Sequence, residues 1–193
     1  MSQTTYTLLQ FGSDPFNNRY VDPEGRPPSH CTSSIICQSR WPDASLPIAR
    51  SLASQFPNLV IRLSRESTWA QQISHIMGPD NSYFYFGPEN SPGYIMYGNN
   101  RISLPMSHLS RQQREGSTSR YFTAQSGKNY KWRITPERME CMDGRTCICV
   151  WEVFSSPEND YDACVTFKPA ALALVTEIMT TLTLNRMYLA LGW

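Results

Sequence analysis

The segment Pro169–Trp193, PAALALVTEIMTTLTLNRMYLALGW, is apolar almost all the way round a helical wheel, yet it closes an otherwise polar chain. A helix with no solvated face needs a wrapper, either a protein core or a membrane. Glu177 and Arg186 cut the segment into uncharged runs far shorter than the roughly 20 predominantly apolar residues of a spanning helix. Two charges at interior positions favour the core, so the expectation is a soluble domain built around its own C-terminus. The four Thr between Thr176 and Thr183 lower helix propensity. They leave a strand at the centre of the segment as the alternative.

What would wrap this helix is visible upstream. The chain has 193 residues, suited to one domain over 1–193 with a sizeable core. Its five Trp, ten Tyr and eight Phe fall mainly in short runs bounded by Gly, Pro, Asn and Ser, a pattern of strands. Tyr6–Phe11 and Arg19–Val21 predict a hairpin-like start. Ser33–Gln38, Leu59–Leu63, Tyr83–Phe86, Gly93–Tyr97 and Arg101–Leu104 predict further strands, with a short helix over Leu46–Phe56. The polar stretch Ser107–Arg120 has no apolar periodicity and predicts an exposed loop or short edge helix.

Beyond it the pattern sharpens. Tyr121–Ala124, a turn at QSGKN and Tyr130–Ile134 form a predicted hairpin. Period-2 alternation puts Tyr130, Trp132 and Ile134 inward and Lys131 and Arg133 outward. A second hairpin is expected to turn at Asp143-Gly144, a pair suited to a type I′ turn, between Arg138–Met142 and Thr146–Phe154. On its longer arm Cys147, Cys149, Trp151 and Val153 carry no charge and are placed inward. Ala163–Phe167 is the last predicted strand, and Pro169 opens the closing helix.

Charge and cysteine content narrow the chemistry. Seventeen basic against sixteen acidic residues give a net charge of +1, so no global field attracts nucleic acid and any anion site is local. The first residues lack the basic and apolar regions of a secretory signal, which makes the cytoplasm the expected compartment. The six Cys lie partly inside predicted strands and lack paired C-x-x-C spacing. They are read as reduced, packed thiols, with no metal and no cofactor.

The chain has no G-x-S-x-G elbow, phosphate-binding Gly-rich loop or H-E-x-x-H pair, so enzyme chemistry would rest on isolated groups. His75 and His108 are the weak imidazole candidates, beside His30; each is more simply a surface or packing residue. Glu177 is a candidate general acid or base, because a carboxylate on a buried helix is costly unless paired and its pKa rises with desolvation. The plainer reading pairs it near an open end with Arg, Lys or Tyr. Lys128, Lys131, Arg133 and Arg138 cluster across the predicted hairpins with Tyr121 and Trp132 interleaved, as an anion site would require. Edge protection and solubility explain the same residues, and Glu137 and Glu140 dilute the field.

The run Ser119–Arg133, SRYFTAQSGKNYKWR, with the flanking GNNRISLPMSHL and TLTLNRMYL, resembles an expanded family of small mushroom (basidiomycete) proteins. In that family a T-F-T-A-x-x-G-x-x-Y-K-W hairpin and a terminal hydrophobic helix recur; this chain departs at the first position, with Tyr121. The opening FGSDPFNNRYVDPEGRPP is also similar, whereas Trp41–Pro79 matches least. More broadly, the strand-rich body with its closing helix resembles the tubby-like superfamily of tubby proteins, phospholipid scramblases and LURP-one-related proteins. That resemblance implies a mainly β fold, a closed antiparallel barrel of about 12 strands around the hydrophobic C-terminal helix. Of function it implies only an analogy to lipid binding; the calcium-binding and Cys-rich palmitoylated segments of scramblases are not evident.

Three functions follow as expectations. The first is a binding module for a hydrophobic or lipid-like ligand or an anionic head group, in peripheral contact with membrane, using Lys128, Lys131, Arg133 and Arg138. The second is a cofactor-independent isomerase, cyclase or lyase acting on an apolar natural product, with Glu177 or a histidine moving the proton. The third is a protein-interaction domain engaging a partner through an exposed sheet edge or Ser107–Arg120.

Overall fold

A computed structural model describes residues 5–21, 34–40, 60–65, 81–98, 103–154 and 158–193. Twelve strands are present among them: β1 (Tyr6–Phe11), β2 (Asn18–Val21), β3 (Ser34–Arg40), β4 (Val60–Arg65), β5 (Asn81–Tyr85), β6 (Tyr94–Tyr97), β7 (Ser103–Pro105), β8 (Arg120–Thr123), β9 (Asn129–Ile134), β10 (Arg138–Asp143), β11 (Thr146–Val153) and β12 (Ala163–Phe167). A short helix, α1 (Met106–Leu109), follows β7, and a 3-10 turn over Pro169–Leu174 leads into α2 (Val175–Leu191). The expected helix over Leu46–Phe56 lies outside the described residues, as do His30 and His75.

The strands form an antiparallel order β7-β6-β5-β4-β3-β2-β1-β12-β11-β10-β9-β8. The first and last strands of the described chain meet in its middle, where β1 runs antiparallel to β12 from Tyr6 opposite Phe167 to Gln10 opposite Ala163. Every other neighbour in the order is also a neighbour in sequence, so hairpins account for most of the topology.

Residues Val175–Met187 of α2 are all buried, leaving no solvent face over that stretch. The sheet therefore curls around the helix, and side chains from both halves of the order reach it. Trp132 Nε1 on β9 donates to Thr181 Oγ1 at 2.9 Å, Ser82 Oγ on β5 bonds Thr180 Oγ1 at 2.8 Å, and Ser110 Oγ donates to Asn185 Oδ1 at 2.7 Å. Among the described residues no helix is long and apolar enough to cross a membrane.

The threonines do not convert the centre of α2 to strand. Thr180 Oγ1 donates to the Thr176 carbonyl at 2.6 Å and Thr181 Oγ1 to the Glu177 carbonyl at 2.9 Å. Each hydroxyl proton is thus satisfied inside the helix while the oxygen stays open to a strand donor. Burial outweighs the small propensity deficit. Gly192 ends the helix with φ +68° and sends its N–H back to the Tyr188 carbonyl, a left-handed cap that glycine adopts without strain.

No ladder joins the edge strands β7 and β8 among the described residues. The intervening chain bridges them instead. Met106 and Leu109 of α1 are buried in the core, and Arg111 then exchanges two backbone hydrogen bonds with Tyr121 on β8, at 2.8 and 3.0 Å. The stretch expected as an exposed loop or short edge helix thus begins as a short helix that covers two sheet edges, and residues 112–116 beyond it are exposed.

Two local expectations are corrected. The β10–β11 loop is Gly144-Arg145, because Asp143 still pairs with Thr146. Of its two loop residues only Gly144 has positive φ, at +57°, the pattern of a type II′ turn rather than I′. The pairing also slips between Cys141 opposite Cys149 and Met142 opposite Cys147. The extra residue, Ile148, is buried, whereas Cys147 is half-buried. A bulge thus breaks the alternation that places Cys147 inward; Cys149 and Trp151 remain inside.

Candidate functional site

The β8–β9–β10 face carries the four expected cations in a row rather than in one cluster, from Lys128 paired with Asp143 at one end of β10 to Arg138 at the other. Phe122, Tyr130, Trp132 and Ile134 are buried, and Phe122 stacks on Tyr130 with ring centroids 5.3 Å apart. That packing fixes the pleat, so Lys131 and Arg133 stand outward from β9.

Their electrostatic states differ. Arg138 meets Glu140 at 3.1 Å and Glu152 at 2.8 Å, Arg133 lies 3.7 Å from Glu140, and Lys128 is paired with Asp143. Glu140 sits between Arg133 and Arg138 because β9 and β10 pair with Arg133 opposite Glu140. Among the described residues Lys131 has no carboxylate partner; it lies 5.7 Å from the centroid of the Tyr121 ring, its cross-strand neighbour.

A second cation joins Lys131. Arg111 Nη2 donates to Thr123 Oγ1 at 2.7 Å and to Asn129 Oδ1 at 3.3 Å, both uncharged acceptors. Arg111, Gln112, Gln113, Tyr121, Asn129 and Lys131 are among the residues that line one groove of about 490 Å³. Arg111 is the residue that strand patterns miss, since it sits in an aperiodic stretch and reaches β8 through an isolated bridge. Its only sequence signal is a basic residue shortly before the predicted strand Tyr121–Ala124.

Glu177 borders a different environment. It is 4% exposed, and its Oε1 accepts the Gln125 backbone N–H in the β8–β9 turn at 2.6 Å. Burial pushes its pKa above the ordinary carboxylate value, and the amide hydrogen bond opposes that shift. The partner is thus a backbone amide of a turn rather than an Arg, Lys or Tyr side chain. Glu177 lines neither the groove at Lys131 nor a second cleft around Arg186. His108 is exposed on α1 and lines neither of them.

Cys141 and Cys149, opposite one another on β10 and β11, are buried free thiols whose pKa values are raised by desolvation. Thiols held protonated in this way are poor nucleophiles. Among the described residues no three His, Cys, Asp or Glu side chains gather as a metal site.

Comparison of the chain with protein-family models, with curated proteins and with solved structures finds no match in any of the three.

Proposed function

We propose that the chain is a binding module whose β8–β10 face receives the anionic head group of a lipid at a membrane surface. The observation that carries the reading is the pair Arg111 and Lys131, which flank one groove and have no carboxylate partner among the described residues. Lys128, Arg133 and Arg138 lie outside the lining of that groove, already engaged with Asp143, Glu140 and Glu152. In this reading they shape the field, and Arg111 and Lys131 make the contacts. The barrel-like body is read as tubby-like, with the gap between β7 and β8 covered by α1 and the Arg111 bridge.

Cosedimentation with vesicles of phosphatidylcholine and phosphatidylserine at low salt tests it. Each basic residue near an anionic surface contributes about 1 kcal/mol, so Arg111→Gln with Lys131→Gln weakens binding roughly thirtyfold. Lys128→Gln with Arg138→Gln, which removes the same charge from outside the lining of the groove, weakens it less. Equal binding by the parent and the Arg111/Lys131 double variant would sink the proposal.

A further inference from the structure

Away from that groove, the last turns of α2 and the ends of β11 and β12 border an open cleft of about 410 Å³ lined in part by Arg186. We propose that this cleft binds an amphiphilic monocarboxylate, its carboxylate on the Arg186 guanidinium and its apolar body against Trp151 and Leu189.

Arg186 is 7% exposed, and a guanidinium stays charged at any ordinary pH. Its Nη1 donates to the Tyr20 hydroxyl at 3.1 Å and its Nη2 to the Ser13 carbonyl at 2.6 Å, both uncharged acceptors. No carboxylate among the described residues forms an ion pair with it. A buried cation left without a counter-anion is costly, and an anion entering the cleft would supply one.

The cleft is also built to hold that charge in place. The Arg186 guanidinium lies 5.2 Å from the centroid of the Trp151 ring. Trp151 Nε1 donates to Gln10 Oε1 at 2.8 Å, and Gln10 Nε2 donates to the Gly12 carbonyl at 2.6 Å. Gln10 is itself buried, so ring and guanidinium are clamped before a ligand arrives.

The mouth supplies the apolar half. Leu189 is 51% and Phe154 38% exposed, and both line this cleft. Large exposed apolar side chains beside a buried charge match a ligand with a charged head and an oily body.

Asp162 narrows the choice of head group. Its Oδ2 accepts the Gly12 N–H at 2.8 Å, and it lines the same cleft. A carboxylate there repels a second negative charge, which favours a monoanion over a phosphate dianion.

Calorimetric titration at pH 8 with decanoate and decyl phosphate below their micelle concentrations, and with decanol below its solubility limit, tests the proposal. The parent protein should bind decanoate. Decanol should bind roughly ten- to a hundredfold more weakly, the worth of charge-assisted hydrogen bonds, and decyl phosphate more weakly than decanoate. Ala190→Trp, which fills the cleft from an exposed helix position, should abolish decanoate binding without lowering the unfolding temperature. Arg111→Gln with Lys131→Gln should leave decanoate binding intact, so this site and the head-group face fail or survive separately. Absence of decanoate binding, equal affinity for decanol, a preference for decyl phosphate, or undiminished binding by Ala190→Trp would each overturn it.

Discussion

Glu177 and Arg186 lie on the same buried helix, roughly 13 Å apart along its axis at 1.5 Å per residue, and the protein treats them differently. The carboxylate accepts one backbone amide from the β8–β9 turn, and its pKa is raised by burial. A carboxylate has that recourse, because it can take up a proton and become neutral. A guanidinium has none. Arg186 is met instead by a phenol oxygen, a carbonyl, an indole face and an open cleft. Of two buried charges, the one that cannot be neutralised is the one beside space for a ligand.

Removing Arg186 should have the largest effect on that contrast. Arg186→Met takes the guanidinium away from Tyr20, the Ser13 carbonyl and the Trp151 face, and should lower stability by about 2–4 kcal/mol in urea unfolding. A neutral result would mean that the cost of burying the charge equals everything it gains from its partners. Thr181→Val should come next. It leaves the Trp132 Nε1 donor, wholly buried on β9, without its acceptor, at a cost of about 1–3 kcal/mol. The near-UV signal of a buried tryptophan should change with it.

Glu177→Gln should have the smallest effect near neutral pH, within about 1 kcal/mol of the parent. The Gln carbonyl can still accept the Gln125 N–H, and no charge is buried. The pH dependence separates the two proteins. Because the folded pKa of Glu177 lies above its ordinary value of 4.5, the native state holds more protons than the unfolded state between those two values. Its contribution is fully present below about 4.5 and is lost as pH rises through the folded pKa. The parent should therefore lose stability relative to Glu177→Gln over that window and level off above it. A parent that gained stability relative to the variant over the same window would show that the amide hydrogen bond outweighs burial.

Several elements were legible because local pattern and tertiary demand agree. Ala163–Phe167 matches β12 residue for residue, and Tyr130, Trp132 and Ile134 are inside as their alternation requires. Where the two part company, a nonlocal pairing is responsible. The slip that buries Ile148 depends on how β11 meets β10, and nothing within Thr146–Val153 announces it. The basic residues show the same limit. Outward orientation of Lys131 and Arg133 follows from period 2, but which cations are already engaged depends on Glu140 and Glu152 across neighbouring strands. Arg111 joins them through a bridge to β8, and Arg186 acquires its cleft from residues near both ends of the described chain.

The sequence by itself determined that the C-terminal segment, if helical, has no polar face and must be enclosed; that it is helical from Val175 to Leu191 and is enclosed by strands was decided by the tertiary structure. Short apolar runs then located most strands, and period-2 alternation set the inner face of β9. The tertiary structure decided what became of the charges. Whether a buried or outward charge meets a carboxylate, an amide or an open cleft depends on partners far away in sequence, and electrostatic free energy is a property of that surrounding rather than of the residue alone.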